Sequence, residues 1–183
     1  MKETKASEKV LDKLSAIDHR KSFFIADDFY KIQSHLLIIK NQKKLRISVV
    51  LPTLNEEETI GSILVEIHLL VAKGIVDELL IVDGGSSDKT VSIAQELGIK
   101  VLHSKRIMPE YAHLDGKGVQ LWQSLFASDQ DIICWVDSDI RQFHVRFVLG
   151  LIGPLILFDQ IHFVKAFYQR PLIRGKETEE NQG

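Results

Sequence analysis

Cysteine is nearly absent: Cys134 is the only one in 183 residues. An intramolecular disulfide is therefore excluded, and a lone cysteine in an apolar run reads as a small core residue. A large excess of either charge is also missing. The 23 Lys and Arg nearly balance the 25 Asp and Glu, for a formal net charge of −2. No global electrostatic argument favours nucleic acid, and no nucleic-acid partner is expected. Long hydrophobic runs are missing too. The longest, over 147–158, spans 12 residues and contains Gly153-Pro154, whereas a membrane helix needs roughly 20. The opening "MKETKASEKVLDKL" has no apolar signal core, so a cytoplasmic protein with no membrane partner is expected.

Familiar ligand motifs are absent as well. No G-x-G-x-x-G follows the first strand-like run, and "GKG" at 116–118 lacks the P-loop context. There is no G-x-S-x-G elbow, and the histidines lack zinc spacing. No internal repeat appears, and the length suits one domain.

What the chain does have is alternation. "ISVVL" (47–51), "ELLIV" (78–82), "KVLH" (100–103), "DIICWV" (131–136) and "IHFVKAF" (161–167) read as strands. A helix is expected after the first strand, with Asn55 as its cap and Glu58 as the reciprocal partner. Ile60, Ile63, Leu64, Ile67, Leu70 and Val71 then recur at helical spacing up to Gly74. "DKTVSIAQELG" and residues 117–127 read as further helices. Residues 7–18 suggest a short amphipathic helix with Val10, Leu11, Leu14 and Ile17 on one side, and 22–46 read as irregular. Almost continuously apolar strands alternating with helices predict an α/β fold with a mainly parallel sheet covered on both faces. The expected layout is an N-terminal extension (1–46), a ligand-binding domain (47–172) and a polar tail (173–183).

In such sheets ligands gather beyond the carboxyl ends of the strands. Three polar segments are expected there: Pro52–Glu56, Asp83–Ser87 and Asp137–Asp139. Oxygen donors suit hard cations, and magnesium commonly binds one or two carboxylates while substrate phosphates complete its shell. Asp137 and Asp139, with Ser138 between them, suit that role, in which one carboxylate reaches the ion and the other meets a hydroxyl such as a ribose. Lys117, between two glycines, is placed to reach the same phosphates. The bland alternatives are a solvated strand end for the aspartates, a turn cap for Asp83 and a helix start for Asn55–Glu58.

Together, "VVLPTLNEEETIG", "ELLIVDGGSSDKT", "MPE", "GKGVQLWQSL", "DIICWVDSDI", "FVLGLIGPL" and "FVKAFYQRPL" resemble the glucosyl-3-phosphoglycerate synthase family. The likeness spans roughly residues 46–172. It implies a Rossmann-like, A-type nucleotide-diphospho-sugar transferase fold. It also implies a retaining transfer of glucose from a nucleotide-diphosphate sugar, usually UDP-glucose, to 3-phosphoglycerate, with Mg2+ or Mn2+. By this resemblance, Pro52, Thr53, Leu54, Asn55, Glu56, Asp83, Gly84, Lys117, Asp137 and Ser138 bind the donor, and Asp139 binds the metal. Lys165 and Arg170 are the candidates for the acceptor. No catalytic residue is singled out.

Two departures stand out. The family often carries D-S-G-S-T-D where this chain has Asp83-Gly84-Gly85-Ser86-Ser87-Asp88, so a hydroxyl is missing at Gly84. Beyond "RPL" the family continues into a Gly-rich acceptor loop, a metal-site histidine and dimer contacts. The resemblance therefore implies the donor-binding half of such an enzyme. A nucleotide-sugar-binding fragment without transfer activity is the competing reading.

Overall fold

The computed structural model describes residues 2–15, 24–167, 169–174 and 177–182, with side chains over 7–14 and 24–167. Four parallel strands form the main sheet: β1 (Ile47–Thr53), β2 (Glu78–Asp83), β3 (Lys100–His103) and β4 (Ile132–Trp135), in the order β3-β2-β1-β4. The helices are α1 (Lys2–Ser15), α2 (Ala26–Lys31), α3 (Gln33–Lys43), α4 (Ile60–Ala72), α5 (Thr90–Glu96), α6 (Ser104–Ile107), α7 (Lys117–Ala127) and α8 (Arg146–Leu157). A two-stranded antiparallel ribbon, β5 (Gln169–Arg174) with β6 (Glu177–Gln182), joins no strand of the main sheet.

The alternation of the strands explains the layering. Every residue of β1 is buried, because it is one of the two inner strands and both its faces are covered. Ile47, Val49 and Leu51 enter the large core with α4, α5 and α8. Val50 turns to the opposite face, where it meets Leu80 and Val82, with Ile107 of α6 against them. Pro52 sits inside a central strand, where proline normally costs a ladder bond. Its position explains the tolerance. The β1–β4 ladder ends with Val136 N donating to Val50 O, and at the next residue facing that side Pro52 needs to supply only a carbonyl.

Two expectations are corrected. The stretch 22–46 is not irregular: α2 and α3 occupy 26–43, and Phe29, Ile32 and Leu36 are fully buried in the large core. Lys40 obscures the pattern by being buried on the same side. Its Nζ donates to Gly74 O at 3.0 Å and pairs with Asp77 Oδ1 at 2.7 Å. That contact makes a buried cation tolerable but breaks the apolar stripe. Residues 161–167 are not a strand and carry no regular structure. Their aromatic and β-branched residues have the propensity, but no described strand pairs with them, and propensity alone does not make a strand. Of the expected first helix, Ile17 lies outside the described residues.

Candidate functional site

Three loops leave the carboxyl ends of β1, β2 and β4, and hydrogen bonds join them. The first is held to the second in a zipper. Asn55 N donates to Ser86 Oγ (2.9 Å), and Ser87 N donates to Asn55 Oδ1 (2.8 Å). Glu56 N donates to Thr90 Oγ1 (2.7 Å), Glu57 N to Asp88 Oδ2 (3.0 Å), and Lys89 N to Glu57 Oε2 (2.9 Å). The first is also held to the third: Ser138 Oγ donates to Pro52 O and Thr59 Oγ1 to Ser138 O, both at 2.6 Å. The three polar segments therefore share one rim, as their positions after the strands predict.

The expected cap is replaced. Asn55 does not start a helix: its φ is 59°, a left-handed conformation that asparagine tolerates, and its amide holds Ser87 instead. Thr59 precedes α4, and Glu58 pairs on the surface with Arg141 at 3.1 Å.

Between the loops lies a cleft of about 320 Å³. Of the expected residues, Pro52, Thr53, Leu54, Glu56, Gly84, Lys117, Ser138 and Asp139 line it. The other five do not. Asn55 lines an adjoining acidic recess with Glu56, Asp88 and Asp139. Asp83 is buried beneath its own turn. Its Oδ1 accepts from Thr53 Oγ1 and Ser86 Oγ, and its Oδ2 from the backbone N–H groups of Gly85 and Ser86. Asp137 forms an ion pair with Lys117 across the rim. Lys165 is exposed on an irregular segment, and Arg170 lies on β5, with its side chain outside the described set.

The cleft also contains residues not singled out from the sequence: Ser104, Leu114 and Asp115, and, within the "GKGVQLWQSL" segment, Gly116, Val119 and Gln120. Gln120 was detectable in principle, because it stands one helical turn after Lys117 on α7 and so shares its face.

The charge distribution is uneven. Asp139 is exposed, and no described residue forms an ion pair with it. Glu56 is held above its usual carboxylate range, first by burial, then by the like charges of Asp139 and Asp88, with Lys117 opposing. This is a negative cluster that the neighbouring Lys117 only partly offsets. Among the described residues, no set of three or more His, Cys, Asp or Glu side chains is arranged to hold an ion. A single free carboxylate among oxygen donors fits the habit of magnesium, which takes few protein ligands and relies on phosphates and water for the rest.

Comparison with known proteins fits this geometry. Residues 48–143 match the profile of "Glycosyl transferase family 2". The chain is 47% identical over 150 residues to the glucosyl-3-phosphoglycerate synthase of Petrotoga mobilis, covering 81% of this chain and 46% of that protein. A crystal structure of Mycobacterium tuberculosis glucosyl-3-phosphoglycerate synthase superposes with a TM-score of 0.68 at 43% identity, over 74% of this chain and 50% of that one. Another, of the M. tuberculosis enzyme with Mn2+, UDP-glucose and phosphoglyceric acid, gives 0.64 at 39% identity, over 78% and 46%. The chain thus spans about half the length of these relatives. With the matched region reaching from the second residue of β1 through the Asp137–Asp139 loop, the chain belongs to glycosyl transferase family 2.

Proposed function

We propose that this chain is the donor-binding part of a glucosyl-3-phosphoglycerate synthase, which moves glucose from UDP-glucose to 3-phosphoglycerate with Mg2+ or Mn2+. The observation that carries this reading is the cleft. It brings a free carboxylate, a lysine and the ends of β1 and β2 together in a chain 47% identical to such a synthase.

In this reading Asp139 holds the metal ion, which when bound neutralises charge on the donor diphosphate. Lys117 meets the phosphates from the opposite wall and exchanges its contact with Asp137 for them. Ser138 is locked to Pro52 and Thr59, so it fixes the position of Asp139 on a short, buried connection. The backbone of Pro52–Glu56 forms one side of the nucleotide's seat. Lys165 and Arg170 remain the acceptor candidates. The competing reading is a nucleotide-sugar-binding chain without transfer activity.

Calorimetry with UDP, with and without Mg2+, tests the proposal. We expect Mg2+ to tighten UDP binding in the wild-type chain, and Asp139→Ala to lose that gain while keeping the metal-free affinity. Equal affinity of wild type and Asp139→Ala in both conditions would remove Asp139 from the metal role.

A further inference from the structure

We propose that Gln120 is a base-specificity residue, whose side-chain carbonyl accepts a hydrogen bond from a ring N–H of the donor's nucleobase; this rests on the nucleotide-sugar reading above. Gln120 is 6% exposed yet lines the cleft. Its Nε2 donates to two strand-end carbonyls, Thr53 O at 2.8 Å and Val82 O at 3.1 Å. Two carbonyls on one side of the amide settle its orientation, because only the NH2 end can face them. Oε1 is then the end left over. Among the described residues nothing donates to it, and it is not one of the buried polar atoms lacking a partner. It is therefore an acceptor open to solvent, on a side chain that lines the cleft and is held in place by two bonds.

The position along the cleft identifies what it meets. Asp139 follows β4, at one end of the strand order, and it marks the phosphate end. A nucleoside diphosphate laid with its phosphates there places its base over the ends of β1 and β2. Those are the strand ends that Gln120 bridges. Gly84 completes the case. A Cβ at Gly84 would stand 2.8 Å from Gln120 Nε2, so the amide occupies the space that a side chain at 84 would need. A side chain at 84 would have to push the amide off its two carbonyls: this chain carries its polar group on α7 rather than on the β2 loop. Uracil offers one ring N–H, at N3, which an acceptor recognises and which methylation removes.

Binding of UDP and of 3-methyluridine diphosphate, both with Mg2+, tests this in the wild type, in Gln120→Met and in Gly84→Ala. Gln120→Met keeps the volume and removes the acceptor. Gly84→Ala keeps the glutamine and displaces its amide. We expect the wild type to prefer UDP by about three- to tenfold, the usual worth of one such bond, and both variants to lose most of that preference. A purely structural role would weaken both ligands alike and leave the ratio unchanged, which would overturn the inference. It would also be overturned if the wild type bound both ligands equally. If the wild type bound no UDP at all, the nucleotide-sugar reading itself would fall. Gly84→Ala decides the matter if Gln120→Met does not fold.

Discussion

Glu56 shows how burial and like charges gathered at the cleft cost stability. Burial and the neighbouring Asp139 and Asp88 raise its pKa above 4.5. The folded state thus favours the protonated form. The stabilising contribution is full below the unfolded value of 4.5 and is lost as pH rises through the raised folded value. At neutral pH the charged Glu56 is therefore a small liability, screened by its partial exposure. Glu56→Gln is expected to melt at a higher temperature than wild type at pH 7, with the gap closing as the pH is lowered to about 4. Added Mg2+ should narrow the gap at pH 7 by compensating the same charges. Melting curves at the two pH values check both statements, and a gap that widens on acidification would show that the cluster is not the cause. The residue scale is also where the sequence was least legible. Asp83 stands in the motif, yet its oxygens accept from Thr53 of β1 and from its own turn, a bonding pattern that the motif does not show. Gln120 lies inside the "GKGVQLWQSL" segment and one helical turn after Lys117, but its place beside two strand-end carbonyls is visible only in the fold.

At the scale of elements, legibility followed the strength of local signals. β3 and α7 fall at the expected residues, and β1, β2 and β4 differ only at their ends. Uninterrupted β-branched runs between polar turns have one reading in an alternating chain. The misses have the opposite character. α2 and α3 hide because a buried lysine and a break at Ile32 disturb the periodicity. Residues 161–167 mislead because pairing, not composition, decides a strand. α8 is a case where packing leaves a specific trace. An added Cβ at Gly153 would lie 2.2 Å from Phe29 Cδ1, so glycine there lets α2 approach closely. Gly153→Ala should therefore destabilise the fold by about 1–3 kcal/mol through overpacking. The same change at Gly118 in α7, where nothing lies within 4 Å, should be neutral or slightly stabilising. Urea denaturation of the two variants separates packing from helix propensity; equal effects would mean that Phe29 yields at no cost.

The bonds that fasten α3 to the sheet and the cleft lie at opposite ends of β1. The contact of Lys40 with Gly74 and Asp77, and the bond from Ile47 N to Asp77 Oδ2 at 2.7 Å, tie α3 to the amino end of β1. The cleft lies at the carboxyl end. Phe29 is fully buried between α2 and α8 and takes no part in the cleft. Truncating it removes a large side chain from the core, so Phe29→Ala should lose about 3–5 kcal/mol of unfolding free energy. The native fraction should nevertheless keep its ligand affinity, because none of the loop-to-loop bonds around the cleft involves α2. Linkage makes the separation measurable. A ligand at 100 times its Kd that binds only the folded state adds about 2.7 kcal/mol, whatever the starting stability. UDP with Mg2+ at that excess should thus raise the unfolding free energy of wild type and Phe29→Ala by the same increment. Asp139→Ala should show the reverse pattern, with its stability kept and its increment reduced. Denaturation of the three proteins with and without ligand tests this. A smaller increment in Phe29→Ala than in wild type, at matched saturation, would mean that the packing of α2 against α8 sets the geometry of the cleft as well as the stability of the fold.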